Sequence, residues 1–133
     1  KFVTLVYGCL EPHDKKFVYV NAGHNPPLLF SGKKISYLEA GGLLLGVMED
    51  APYEQGEVAL QSGDLLVMYS DGETEAFNET EALFEEARLI RVIQENLNLS
   101  AKQLTEQIIR EVKAFQGLQP QSDDITLVIV KAR

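Results

Sequence analysis

Leu65-Leu66-Val67-Met68-Tyr69-Ser70-Asp71-Gly72 decides the reading of this chain. Five apolar residues stand between two groups of turn formers, Gln61-Ser62-Gly63-Asp64 before them and Ser70-Asp71-Gly72 after. A short apolar run bounded in this way reads as a buried strand. The strand runs straight into a carboxylate, so it delivers Asp71 to the end of a sheet.

Upstream, the pattern is also that of strands. Phe2 to Leu10 is apolar on both faces, with Val3, Leu5, Tyr7 and Cys9 on one and Phe2, Val6 and Leu10 on the other. A two-sided run predicts a strand held between layers. Glu11-Pro12-His13-Asp14 reads as a turn. Lys16 to Val20 is β-branched and aromatic and reads as the next strand. Residues 27–31 and 34–39 form two short strands around a hairpin turn at Ser31-Gly32-Lys33. Gly41-Gly42 marks a loop, and residues 55–60 make a weaker strand. Cys9, the single cysteine, lies in an apolar run and reads as a small buried hydrophobe, in keeping with a reducing cytoplasm.

Downstream, the period changes. Leu83, Phe84, Ala87, Ile90 and Ile93 recur at helical steps. Ser100 and Gln103 form a capping box for a second helix, whose apolar stripe is Ala101, Leu104, Ile108, Val112 and Phe115. Gly117 and Pro120 stop it. Ile125 to Val130 then reads as a buried strand. That strand must return to the sheet, or its apolar residues stay exposed. The class is α+β: a mostly antiparallel sheet with helices packed on a face.

The 133 residues fit one domain with a real core. Twenty acidic against twelve basic residues give a formal charge of −8, which argues against nonspecific binding to nucleic acid or to anionic membranes. No apolar run approaches the roughly 18 residues of a membrane span. A site handling phosphate on so acidic a scaffold would need cations to attract it. The chain enters an apolar segment at Lys1-Phe2 with no lead-in, which suggests a portion of a longer protein.

Two acidic runs stand out by their setting. Ser70-Asp71-Gly72 closes the strongest strand, and Ser122-Asp123-Asp124 opens the last one. If these strands pair antiparallel, Asp71 and Asp123 meet at one sheet edge. Paired carboxylates without bases nearby repel, and a divalent cation relieves that repulsion. Oxygen ligands favour Mg²⁺, Mn²⁺ or Ca²⁺ over zinc. Both runs are also common turn and cap sequences, and spacing alone leaves the two readings open. His24 lies among turn formers, and neither histidine has a partner at zinc-ligand spacing. Ser70 lacks the flanking glycines of a hydrolase nucleophile elbow. The acidic residues between Glu73 and Glu86 read as a solvated face near a helix start.

Four motifs taken together resemble a known family. They are Val20-Asn21-Ala22-Gly23-His24-Asn25-Pro26-Pro27-Leu28-Leu29, Gly42-Leu43-Leu44-Leu45-Gly46-Val47, Gly63-Asp64-Leu65-Leu66 through Tyr69-Ser70-Asp71-Gly72-Glu73-Thr74-Glu75-Ala76, and Gln121-Ser122-Asp123-Asp124-Ile125-Thr126-Leu127. Their order and spacing are similar to those of SpoIIE- and RsbU-type protein phosphatases, which resemble the type 2C phosphatases. The resemblance covers the whole chain as the C-terminal portion of one such domain. It implies a β-sandwich flanked by helices, with two Mn²⁺ or Mg²⁺ ions at one end. It implies Asp71 and Asp123 as metal ligands, Asp124 as a second-choice ligand where many relatives carry asparagine, and Gly72 as the glycine beside the first ligand. Gly23, His24 and Asn25 match the family's signature loop, whose implied role is structural or site-flanking.

The implied reaction is attack of a metal-activated water on phosphoserine or phosphothreonine, with no protein nucleophile. The implied substrate is a phosphorylated regulatory protein such as an anti-sigma-factor antagonist. Nothing in the chain matches the Gly-Asp and Asp-x-x-Gly-His-Gly motifs of the family's N-terminal half, which complete the metal site. The 133 residues are therefore expected to be inactive alone and to expose apolar surface that self-association could cover. The alternative is a non-catalytic interaction or dimerisation module on a degenerate phosphatase fold.

Overall fold

The structure, a computed structural model, describes residues 1–121 and 123–133. Ser122 of the second acidic run and the side chain of Glu73 lie outside the described part. The chain divides into two compact units, Lys1–Asp64 with Ala132–Arg133, and Leu65–Lys131.

In the first unit, β1 (Leu5–Glu11) and β2 (Lys16–Ala22) form an antiparallel hairpin in the register Leu5↔Ala22 to Glu11↔Lys16. A second hairpin joins β3 (Leu28–Ser31) to β4 (Lys34–Tyr37) around Gly32, at the predicted turn. The Gly41-Gly42 pair, expected as a loop, is a short strand β5 that runs parallel to Asn21-Ala22. β6 (Gly56–Ala59) pairs antiparallel with Lys16 to Tyr19. β2 is thus the central strand, with β1 at the edge. Lys16 lies 3.4 Å from Glu11 and 3.5 Å from Glu57 on the two neighbouring strands. The hydrogen bond to Glu11, with the charges of Glu11 and Glu57, holds its ammonium above the ordinary lysine value.

Phe2 to Leu10 is not sandwiched between layers. Tyr7 is 72% exposed and Phe2 67%, Leu5 and Leu10 are more than two-fifths exposed, and Cys9 is exposed rather than buried. The cause is visible in β2, which alternates buried Phe17, Tyr19 and Asn21 with half-buried Val18 and Val20. This sheet therefore covers one face. Tyr7 and Cys9 lie opposite Val20 and Val18, on the other.

In the second unit, β7 (Leu65–Tyr69) is the buried strand the sequence predicts, with Leu65, Leu66, Val67 and Tyr69 all inside. It leads into a four-residue helix, α1 (Asp71–Thr74), and then to α2 (Glu85–Glu95) and α3 (Ala101–Gln116). β8 (Leu127–Lys131) returns antiparallel to β7, from Leu65↔Lys131 to Tyr69↔Leu127. Its expected burial is only partial, and Val128 is exposed, because β8 ends its sheet.

α3 follows its sequence signals closely. Ser100 and Gln103 form the reciprocal capping box, and Leu104, Ile108 and Val112 are buried. The stripe of α2 is phased differently from expectation. Leu89, Val92 and Ile93 face inward, whereas Ala87 and Leu83 are exposed. Leu83 forms a bridge with Phe77 outside the helix, so counting turns from it starts out of phase. Phe84 still packs inward, edge-on to Phe115 with ring centroids 5.4 Å apart, and the Arg88 guanidinium lies over the Phe115 ring. Lys131 donates to the carbonyls of Leu97 and Leu99 and so ties the end of β8 to the α2–α3 connection. Among the described residues, no helix is long and apolar enough to cross a membrane.

Candidate metal centre

The β7–β8 register places the end of one acidic run beside the start of the other. Beyond the last strand pair, Tyr69↔Leu127, the two chains stay joined. The Ser70 N–H donates to the Thr126 carbonyl at 3.0 Å. The Ser70 hydroxyl accepts from the Thr126 N–H at 3.0 Å and donates to the Asp124 carbonyl at 3.1 Å. Asp71 begins α1 on one side, and Asp123-Asp124 lies on the other.

Gly72 explains how close the two runs come. A Cβ at this position would stand 2.1 Å from the Asp124 carbonyl oxygen, so only glycine allows the Asp123-Asp124 segment to pass. Asp71, Asp123 and Asp124 are all exposed, while Gly72 is buried beneath the passing chain. The Asp123 carboxylate accepts the N–H of Asp124 at 2.7 Å, and Gln121 donates to the Asp123 carbonyl at 2.8 Å. Local bonds of this kind belong to the turn reading of these residues, and they shape the loop that carries Asp123 and Asp124.

The donor chemistry suits a hard divalent cation, being oxygen only. The number of donors is short of a full set. Among the described residues, no group of three or more His, Cys, Asp or Glu side chains is gathered so that it could hold a metal ion.

Gly23, His24 and Asn25 belong to the first unit and form a tightly pinned turn. The Asn21 side chain accepts the His24 N–H at 2.8 Å and donates to the His24 carbonyl at 3.0 Å. The His24 ring nitrogen Nδ1 pairs with the Thr4 hydroxyl at 2.9 Å. Gly23 has φ +69, and a Cβ there would meet the Leu44 backbone nitrogen at 2.9 Å. Asn21, Gly23 and His24, with Pro26, Glu39 and Gly42, line an open hollow of about 180 Å³. The bonds of His24 to Thr4 and Asn21 hold the turn in place.

Two contributions escape the sequence. Ser70 lacks elbow glycines, and its cross-strand role needs the β8 register to be known. Tyr69 donates its hydroxyl to Glu86 in the first turn of α2, a bond that joins the strand end to a helix 17 residues away. Glu86 is therefore part of the framework rather than of a solvated face. The only advance signal is a tyrosine closing a buried strand, whose hydroxyl needs a partner.

Comparison with known proteins bears on the fold and the family. Phosphoserine phosphatase RsbU of Bacillus subtilis (strain 168) is 34% identical over 134 residues, spanning 99% of this chain and 39% of that protein. The chain therefore spans about two-fifths of this curated relative. Among solved structures, the SiaA PP2C domain of Pseudomonas aeruginosa superposes with a TM-score of 0.81 at 19% identity, covering 98% of this chain and 51% of that one. The phosphatase domain of SpoIIE from Bacillus subtilis, presoaked with Mn, superposes with a TM-score of 0.68 at 20% identity, covering 97% and 56%. The fold is accordingly that of the PP2C phosphatase domains. The family described as Stage II sporulation protein E (SpoIIE) matches residues 1–133, end to end, and the chain belongs to it.

Proposed function

We propose that these residues form the C-terminal portion of the catalytic domain of a metal-dependent protein serine/threonine phosphatase. The observation that carries this reading is the joining of Ser70-Asp71-Gly72 to Asp124 and Thr126 at the shared end of β7 and β8. It supports Asp71 and Asp123 as ligands for Mn²⁺ or Mg²⁺, with Asp124 as a further candidate and Gly72 giving the clearance. When bound, such ions supply an activated water and neutralise phosphoryl charge. The chain's own residues hold the carboxylates at a strand end and keep the surroundings acidic, so that cations, not lysines, draw the phosphate. The Gly23-His24-Asn25 turn is a scaffold under this reading.

The substrate is a phosphoserine or phosphothreonine protein, with an anti-sigma-factor antagonist as the specific candidate, acting in the cytoplasm. The test is Mn²⁺-dependent phosphate release by a protein carrying the complete domain, with Asp71→Asn beside it. A loss of roughly 100-fold or more is expected in the variant, on the scale of several kcal/mol for a metal's charge stabilisation. An equally active Asp71→Asn protein would overturn the reading. The 133 residues alone are expected to release no phosphate, since among the described residues no three His, Cys, Asp or Glu side chains gather to hold a metal.

A second reading is favoured by one observation, the exposed apolar row of β1. Under it the chain is an interaction module that self-associates through that row. Tight, stoichiometric Mn²⁺ binding to the 133 residues in a calorimeter would exclude it.

A further inference from the structure

We infer that Ser70 is the positioning residue of the metal centre, and that its hydroxyl sets the separation of the two acidic runs. The inference rests on the phosphatase reading above. In an antiparallel pair, a residue at the Ser70 position would exchange both backbone bonds with Thr126. The Ser70 N–H donates to the Thr126 carbonyl at 3.0 Å. The Thr126 N–H donates to the Ser70 hydroxyl, also at 3.0 Å.

These bonds form at the point where the strand becomes a helix. Ser70 is the N-cap residue of α1, with extended φ −96 and ψ 174, and the carbonyl of an N-cap residue opens the helical ladder. The Ser70 hydroxyl accepts from the Thr126 N–H, and its own proton goes to the Asp124 carbonyl at 3.1 Å. It makes no cap bond to α1. One hydroxyl therefore serves as acceptor and donor to two residues of the opposite run, immediately beside Asp71. Gly72 completes the arrangement by letting the same Asp124 carbonyl come close.

An alanine at this position loses both side-chain bonds and leaves the Thr126 N–H without its acceptor. A threonine keeps the hydroxyl. Removing the outer partners that orient metal ligands typically weakens metal affinity or activity about 10- to 100-fold. The expected signature is therefore specific: Ser70→Ala raises the Mn²⁺ concentration for half-saturation by about 10-fold or more, while kcat at saturating Mn²⁺ stays within about 3-fold.

The experiment uses a protein carrying the complete domain, as wild type, Ser70→Ala, Ser70→Thr and Asp71→Asn. Mn²⁺ binding is followed by electron paramagnetic resonance, phosphate release by a phosphoserine substrate, and folding by circular dichroism. Support is a Ser70→Ala protein that stays folded, binds Mn²⁺ weakly and regains activity at high Mn²⁺, with Ser70→Thr closer to wild type than to Ser70→Ala. The inference is overturned by wild-type Mn²⁺ affinity in Ser70→Ala, or by a loss that tracks unfolding. Asp71→Asn separates the two levels. If Asp71→Asn is inactive while Ser70→Ala binds Mn²⁺ like wild type, only the role of Ser70 fails. If Asp71→Asn is fully active, the phosphatase reading itself fails.

Discussion

β7 and β1 are both apolar on two faces, and their fates differ. Leu65, Leu66 and Val67 of β7 are at most 1% exposed, whereas Tyr7 of β1 is 72% exposed. Side-chain pattern states how much burial a strand can use. It does not say which layer supplies the cover. β7 sits in a unit that brings two amphipathic helices of its own, with Leu89, Val92, Ile93, Leu104, Ile108 and Val112 buried. β1 sits at the edge of a sheet whose central strand is buried on alternate residues only. The strand with cover is the one that leads into Asp71, the proposed ligand.

The sharpest way to break this contrast is the same truncation in both strands. Leu66→Ala removes a side chain that is 1% exposed, and should cost about 2–5 kcal/mol in unfolding free energy. Leu5→Ala removes one that is 44% exposed, and should cost about 1 kcal/mol or less. Urea unfolding of the 133-residue chain followed by circular dichroism measures both. Equal losses would mean that β1 is covered in solution, and the contrast would be lost.

Legibility in the sequence follows the range of the interactions. The α3 capping box, the Gly32 hairpin and β7 rest on neighbours within a few residues, and each is read correctly from Ser100-Gln103, Ser31-Gly32-Lys33 and the Leu65–Tyr69 run. The meeting of the two acidic runs is also legible, as the consequence of one antiparallel pairing. What escapes depends on longer-range partners. The burial of Cys9 depends on which face the sheet covers. The phase of α2 depends on Leu83 pairing with Phe77. The bond from Tyr69 to Glu86 and the two from Ser70 depend on where α2 and β8 come to lie.

Tyr69→Phe sharpens the comparison from the covered side at smaller scale. The ring stays in place, and the change deletes the hydroxyl that donates to Glu86. A hydrogen bond to a charged group contributes about 1.5–3 kcal/mol, and partial exposure of Glu86 should bring the loss toward the lower end. The expected result is a lower urea midpoint with an unchanged slope. A midpoint equal to that of wild type would show that α2 does not brace the strand end. Glu86→Gln should then fall between the two, since an amide oxygen still accepts the bond without the charge.

Tyr7→Lys tests the uncovered side and should have the smallest effect on folding. Tyr7 pairs with Val20 on the open face, and its side chain is nearly three-quarters exposed. Surface substitutions away from specific contacts usually stay within about 0.5 kcal/mol, so the urea midpoint should hardly move. Association should respond instead. Phe2, Leu5 and Tyr7 expose apolar area that a second copy could cover, and lysine on an edge strand opposes such pairing. Sedimentation should show a mass that rises with concentration for wild type and rises less for Tyr7→Lys. A mass independent of concentration in both would mean that an exposed apolar edge strand does not by itself drive self-association. A fall in stability with no change in association would place Tyr7 in the core, against its exposure, and would make β1 a second β7.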